Sequence, residues 1–522
     1  MTTITIIGGG VAGLTAAVQL AARGLRPLLL EADPRWVGGR LRDLPPVELE
    51  HAGRRWSFPA EHGVHGIWSP YRNLKALLQR HDRMPALVPS KEETWIYGRG
   101  ATIRRAPIGS AIRRSPVPAP FHYLFMLLRP RFLNILTVRD FASLFRVEGS
   151  LLSALAIDPL LEGQGLEGMS LADFTSGWSP TLRSLFAGLA RNALAAHPEE
   201  SPAAGFIAFL RFYTLLRRDA WEFSYLPGTG GACISEPLAE TARSLGCDLR
   251  MGCRATRLER EDGRWQVHYV DADRTAQRAA SDRVVLALDA AAAQQLLQSG
   301  PATAEAAAEL SFPRGVPTAI FRLWFDRRPH PVAASGICTG DFLIDNFFWL
   351  DQLQTAYRGW SDATGGSALE THIYGPAEAL EQPDATLLAQ ALLNVYRAFP
   401  ELRGHLLHAL IQRNQATHTL FTPGNPARML AVDSPWPGIA ACGDWIAHPN
   451  PAMYLERAVT TGMAAANQVL AELGLEPWPI LEHPAPEWLA GKLTNSLTRF
   501  RHAMLRRRSQ QRLGLTTEDQ QP

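Results

Sequence analysis

Three groups of residues in this chain have the types and spacing to hold a phosphorylated cofactor. Gly8-Gly9-Gly10-Val11-Ala12-Gly13 follows the β-branched run Thr3–Ile7 and precedes an apolar helical pattern, Leu14–Ala22. In that setting Gly8 permits a tight turn, Gly10 lets the backbone approach a pyrophosphate, and Gly13 lets the helix pack closely on the strand. The helix start around Ala12 and Gly13 turns free N–H groups and a positive dipole end toward the phosphates. Glu31 closes a second apolar run, Leu25–Leu30, where a carboxylate can accept hydrogen bonds from an unphosphorylated ribose diol. Gly38-Gly39-Arg40 adds a second close approach and a guanidinium for charge-assisted bonds to the pyrophosphate.

The third group lies near the other end of the chain. Gly438–Ala441 reads as a strand running into Cys442-Gly443-Asp444-Trp445. A loop with His448, Pro449, Asn450 and Pro451 then leads to Tyr454-Leu455-Glu456-Arg457-Ala458 and a helix rich in small residues, Val459–Leu470. A strand end carrying Gly-Asp can hydrogen-bond a polyol, and the helix start after it can stabilise negative charge, such as that on the N1–C2=O edge of a reduced flavin. A nicotinamide nucleotide uses neither Arg40 nor this third group, so the expected cofactor is FAD.

These groups need a scaffold that joins distant segments. Leu226-Pro227-Gly228-Thr229-Gly230-Gly231 opens a further αβ stretch, with a helix at Ser235–Leu245, strands at Leu249–Met251, Ala255–Glu259 and Trp265–Val270, and a return to the sheet at Val284–Leu288. Between these pieces, Phe141–Ala156, Leu182–Leu194, Phe206–Leu216 and Leu387–Phe399 read as helices; Thr318–Phe325, Phe347–Leu350 and Leu369–Tyr374 read as strands. The expected fold is α/β: a Rossmann-like FAD-binding domain from residues 1–98, 221–300 and 431–475, with a discontinuous inserted α+β substrate domain from 99–220 and 301–430. A basic amphipathic tail, 476–522, follows.

The stretches GGGVAGL…LLLEAD…VGGR and ACGDW…PAMYLERAVTTGMAAANQVL resemble the superfamily of flavin-dependent amine oxidases and carotenoid (phytoene) desaturases. Within it, EHGVHGIW…YRNLKALLQRH and GDWIAHPNPAMYLERAVTTG are most similar to the carotenoid desaturases, especially those acting on cyclic carotenes. The resemblance implies that Gly443 and Asp444 meet the ribityl chain or pyrophosphate, that backbone amides near Leu455 and Glu456 meet the flavin pyrimidine edge, and that the backbone near Ala255 touches adenine. In many members GDW is followed by arginine and a threonine-proline pair; here Ile446-Ala447-His448 intervenes.

The 522 residues carry 52 basic and 50 acidic side chains, so no global field draws the molecule to nucleic acid. Five cysteines form no CxxC pair, which reads as free thiols in a reducing cytoplasm. No secretory leader and no membrane-spanning run is expected. Two local excesses stand out. Arg99–Arg139 holds eight arginines and no acid around the greasy Pro120–Leu128. In the tail, Leu489, Leu493, Leu497, Phe500 and Met504 recur at helical spacing, with Lys492, Arg499, Arg501, Arg506, Arg507, Arg508 and Arg512 against a single acid, Glu487. Both suit a segment lying in a membrane interface. His62 and His65 have no third ligand in view, which favours a structural or flavin-packing role over a metal site. No catalytic residue is singled out.

The expected function is an FAD-dependent oxidoreductase that desaturates or isomerises a long isoprenoid, such as a carotenoid, by hydride transfer to flavin N5. The expected location is cytoplasmic and peripherally attached to a membrane. The alternatives are a soluble flavin amine oxidase, against which no cysteine lies where that family attaches its flavin, and a non-catalytic flavin-bound assembly factor.

Overall fold

The structure, a computed structural model, describes residues 2–161, 166–424 and 426–518. Of the tail, the side chains of Arg508 and Arg512 and residues 519–522 lie outside that description.

The first layer is a five-stranded parallel sheet in the order Asp248–Arg250, Leu28–Leu30, Ile4–Ile7, Arg283–Leu286, Ile439–Ala441. Its strands are short, apolar runs because both faces are covered. Ile6, Leu29 and Val285 point into one core, whereas Ile7, Leu30, Val284 and Leu286 point into another, the period-2 alternation of a strand. The first core is closed by helices Val11–Ala21 and Tyr454–Glu472. They approach so closely that a Cβ on Gly462 would stand 2.5 Å from the Ala12 carbonyl oxygen. The second core is closed by a three-stranded antiparallel sheet, Arg254–Glu261, Arg264–Val270 and Ala276–Ser281, through Trp265, Val267 and Tyr269.

The second layer is a seven-stranded mixed sheet in the order Leu406–Thr419, Gly315–Phe325, Ser367–Ile373, Asn346–Trp349, Ser335–Gly340, Glu93–Arg99, Thr102–Pro107. Phe321, Leu323, Phe347 and Leu369 face helix Asp384–Ala398, which contributes Leu387, Ala391 and Val395. The helices Val138–Ala156, Pro180–Leu194 and Ala203–Leu210 bury Leu151, Leu182 and Phe206 in a core continuous with that of the first sheet. The α/β architecture is as the sequence leads one to expect.

Some boundaries differ. The segment Glu93–Gly98, expected with the cofactor layer, is a strand of the seven-stranded sheet, parallel to Ser335–Gly340. A residue limit at 98 therefore cuts through a strand whose partner lies more than 200 positions away. The Phe206–Leu216 helix is helical to Leu210 and then widens into a π-turn, Arg211–Leu215. The tail helix, Trp488–Glu518, is not free: Leu493 and Leu497 pack into the core. Thr498 Oγ1 donates to the Ala156 carbonyl at 3.3 Å, and Glu487 pairs with Arg218 at 2.9 Å. Half of its apolar face is thus spent on the protein. Among the described residues no helix is long and apolar enough to cross a membrane.

Candidate functional site

A cavity of about 960 Å³ runs between the two layers. Gly8, Gly10, Ala12, Glu31, Gly38, Gly39, Arg40, Ala255, Gly443, Asp444 and Leu455 all line it, although they come from six separate stretches of chain. Two expected residues do not. Gly13 lies behind the wall, where a Cβ would stand 2.0 Å from the Gly8 carbonyl oxygen; it serves the close helix-on-strand packing. Glu456, expected to offer its backbone amide there, does not line the cavity. Its carboxylate turns away and accepts bonds from the amides of Asn73 at 2.8 Å and Leu74 at 3.0 Å, capping helix Arg72–Arg80. A buried carboxylate finds more stabilisation at that helix N-terminus than beside an electron-rich ring edge.

The cofactor end is shaped by backbone. A Cβ on Gly10 would meet nothing within 4 Å, so this glycine leaves open space in front of the helix start. Glu31 accepts hydrogen bonds from Gly9 N at 2.8 Å and Asp33 N at 2.7 Å, which fixes the turn and leaves further lone pairs toward the cavity. Burial pushes its carboxyl upward. Arg40 and Asp444, from opposite ends of the sequence, form an ion pair on the wall. Gly443 N donates to Thr461 Oγ1 at 3.0 Å, tying the strand end to helix Tyr454–Glu472. The buried Arg457 guanidinium donates to the carbonyls of Ile446, at 2.8 Å, and Asn450, at 2.8 Å, and so orders the Ile446-Ala447-His448 loop. Tyr454, which starts the helix, has φ +52 and projects into the cavity.

The residues present fit FAD. His62 Nε2 and His418 Nε2 are buried without a partner, on the cavity wall. Burial first, then the Arg40 charge, lowers His418 to about 4; burial followed by the charges of His65 and Arg40 lowers His62 well below the usual range. Two neutral imidazoles, an open glycine turn and two helix starts make a polar cradle for a phosphorylated, heterocyclic ligand.

Beyond that cradle the walls become side chain. Trp68, Tyr71, Tyr213, Trp221, Phe223 and Tyr225 line the chamber. The Tyr71 and Tyr213 hydroxyls bond at 2.7 Å. Glu93 is satisfied by Arg113, at 3.0 Å, and by Trp221 Nε1, at 3.1 Å.

The sequence reading missed one polar stripe, Glu370, His372 and Tyr374. The three share one face of strand Ser367–Ile373 and its exit, and His372 and Tyr374 reach the cavity. Glu370 Oε2 pairs with Arg322 Nε at 2.8 Å, its direct neighbour in register. Glu370 Oε1 meets His372 Nε2 at 2.8 Å, and His372 Nδ1 meets the Tyr374 hydroxyl at 2.6 Å. Three residues with ionisable side chains at i, i+2 and i+4 were the available signal.

Comparisons with known proteins agree with this geometry. A family model described as flavin containing amine oxidoreductase matches residues 11–470. The carotenoid phi-ring synthase of Streptomyces griseus is 27% identical over 487 residues, covering 90% of this chain and 88% of that protein. The carotenoid phi-ring synthase of Chlorobaculum tepidum is 22% identical, covering 91% and 89%. A solved oxidoreductase from Methanosarcina mazei has the same fold, with a TM-score of 0.62 at 16% identity, over 88% of this chain and 99% of that one.

Proposed function

Because the chain belongs to the flavin-containing amine oxidoreductase family and is an FAD-dependent oxidoreductase, we propose that its substrate is a carotenoid drawn from a lipid surface. The observation that carries this reading is the single cavity that joins the polar cofactor cradle to a chamber walled by aromatic rings. A hydrocarbon polyene has no group for a polar wall to recognise, and rings supply apolar area in fixed orientation. The names of the two relatives point to the same substrate class.

FAD, when bound, supplies a hydride acceptor at N5. The chain's own residues do the rest. Gly10, the helix start at Ala12 and Arg40 would hold the pyrophosphate; Glu31 the ribose; the backbone around Ala255 the adenine; and Gly443 and Asp444 the ribityl chain, with the amide of Leu455 at the ring. The aromatic chamber orients the substrate and excludes water.

Access from a bilayer has structural support. A narrow apolar crevice of about 50 Å³, lined by Tyr123, Leu124, Leu127, Leu144 and Leu151 among others, shares Ile108 and Leu189 with the main cavity. It is roofed by the turn Phe121–Leu128 and helix Val138–Ala156. The outer sides of these elements expose Leu128 (71%), Val138 (86%) and Phe145 (87%), beside Arg129, Arg131 and Arg139. Apolar side chains among guanidiniums suit the headgroup boundary.

The test is anaerobic mixing of the FAD-loaded protein with β-carotene in phospholipid vesicles, with open-chain ζ-carotene, and with putrescine. Bleaching of the flavin absorbance by a carotene and not by the amine is the expected result. Bleaching by the amine alone overturns the reading.

A further inference from the structure

We propose that Tyr374, backed by His372 and Glu370, takes the proton that the substrate loses during its oxidation. The proposal rests on the reading of the substrate as a carotenoid. Making a C=C bond from two adjacent C–H bonds breaks both. One hydrogen leaves with its electron pair to FAD, which is reduced. The other leaves as a proton, and the electron pair of its bond becomes the new π bond. A hydrocarbon has no basic atom to receive that proton, so the cavity wall must supply one.

Most carboxylates near the wall are already committed. Asp444 is paired with Arg40, Glu31 with two backbone amides, and Glu93 with Arg113 and Trp221. Glu61 accepts from Gly230 N at 2.9 Å and from Gln354 Nε2 at 2.9 Å. Protonating His62 or His418 would place a second positive charge in a buried site beside Arg40.

The stripe on strand Ser367–Ile373 has the opposite character, because its hydrogen-bond directions are fixed. Asn346 Oδ1 accepts from His372 N at 3.0 Å, so Asn346 Nδ2 is a donor, and it points at His372 Nδ1 at 3.2 Å. Asn346 Nδ2 also donates to Asn192 Oδ1 at 2.8 Å and meets the Tyr374 hydroxyl at 3.3 Å. The ionised Glu370 carboxylate can only accept, so it takes the Nε2 proton and leaves Nδ1 to accept from the Tyr374 hydroxyl at 2.6 Å. The proton of the ring sits on Nε2 and is donated to Glu370. Burial raises the Glu370 carboxyl, but the Arg322 guanidinium and the His372 imidazole outweigh it and hold it at about 2. A proton reaching Tyr374 oxygen from the cavity lets the phenol proton pass to His372 Nδ1, and the imidazolium so formed rests against an ionised carboxylate. This is the base-and-orienter logic of a nucleophile triad applied to a phenol. Tyr374 N donates to Asp345 Oδ2 at 2.7 Å, and Asp345 is paired with Arg191 at 2.8 Å, so the strand exit carrying the phenol is rigid. Tyr374 also feels Tyr454, the first residue of the helix that faces the flavin site. Tyr374 is the catalytic residue of this relay; His372 and Glu370 act through it and are positioning residues.

The titratable and charged groups facing His372 are Glu370 and Tyr374 on its own strand, Asp345 on the neighbouring loop, and His62 across the cavity, with Arg322 behind Glu370.

The experiment compares wild type, Tyr374→Phe, His372→Gln and His65→Gln, each FAD-loaded, in anaerobic stopped flow with β-carotene vesicles across pH. In Tyr374→Phe the reduction rate is expected to fall by about 10²-fold or more, with FAD affinity unchanged. In the FAD-free protein, ¹⁵N resonances of His372 are expected to report Nδ1 unprotonated and Nε2 protonated, with Nδ1 moving in Tyr374→Phe. Wild-type reduction matched in rate and pH profile by Tyr374→Phe overturns the relay and leaves the carotenoid reading standing. A comparable fall in rate in His65→Gln, with Tyr374→Phe behaving as wild type, assigns the proton elsewhere and also overturns it. A wild type that no carotene reduces defeats the substrate reading and takes the relay with it.

Discussion

The two ends of the cavity are built from different materials. At the cofactor end the wall is largely backbone: glycine turns, two helix starts and a strand end, with Glu31 spent on holding the turn. At the substrate end it is side chain: aromatic rings, and a polar stripe whose members are satisfied by residues on neighbouring strands. A wall of backbone tolerates little added volume but asks little of distant packing. A wall of side chains tolerates local change but depends on strand register, since a one-residue slip would turn Glu370 and His372 to the opposite face.

The largest expected effect lies at the substrate end. Arg322 and Glu370 are 2% and 1% exposed, and removing one partner leaves the other charge buried and alone. Glu370→Ala should cost about 3–5 kcal/mol in urea unfolding at pH 7, and it also frees the Val64 amide that the carboxylate accepts from at 2.8 Å. A cost below 1 kcal/mol would mean that water reaches Arg322. The same pair sets an acid limb of stability. The folded-state pKa of Glu370 is lowered to about 2, so its contribution is present above the ordinary glutamate range and is lost as pH falls toward 2. His418, at the cofactor end, acts in a higher window. It is lowered to about 4 when folded, so the unfolded chain binds the extra proton first and stability falls as pH drops from about 6.5 toward 4. Glu370→Gln should flatten only the lower limb and His418→Gln only the upper one, measured as midpoint against pH.

At the cofactor end two glycines separate fold from ligand. Gly13→Ala places a methyl group 2.0 Å from the Gly8 carbonyl oxygen and should cost about 3 kcal/mol, the upper range for overpacking. Gly10→Ala meets nothing within 4 Å, so stability should stay within about 0.5 kcal/mol while FAD binding weakens. Urea melts with parallel flavin titrations would show both; equal stability loss in the two variants would erase the distinction between a packing glycine and a cradle glycine.

Glu31→Ala comes next, at about 1.5–3 kcal/mol in FAD affinity for loss of a charge-assisted bond. Isothermal titration of the FAD-free protein is the measurement, and an unchanged affinity would mean that the carboxylate serves only Gly9 and Asp33. The smallest stability effect belongs to the outer surface. Phe145→Ser should shift unfolding by less than about 0.5 kcal/mol, because the ring is 87% exposed. It should nevertheless reduce co-sedimentation with anionic vesicles at high salt, where the arginine contribution is screened and the apolar one is not. Unchanged sedimentation would remove the helix Val138–Ala156 from the proposed membrane contact.

How much of this was legible follows from which kind of wall carries the function. Gly8, Gly10 and Glu31 lie within one strand-turn-helix-strand unit that announces itself, whereas the partner of Arg40, Asp444, is 404 positions away. Gly443 and Asp444 were legible for the same reason, a strand end followed by a helix start. The role of the Glu456 side chain was not, because its carboxylate is claimed by the amide of Asn73, 383 positions away. The tail read as an amphipathic helix, which it is, but periodicity does not say that Leu493 and Leu497 have found a core to join.

The sequence by itself determined the glycine-rich turns, the alternation of strand and helix, and the spacing that puts Glu370, His372 and Tyr374 on one side of a strand. Only the tertiary structure decided that Arg322 stands opposite Glu370, that Asn346 orients His372, and that this face meets the cavity instead of helix Asp384–Ala398. Local periodicity fixes which residues share a face. Which face is buried against what depends on strand pairing between segments tens to hundreds of residues apart, and no short window of sequence contains both partners.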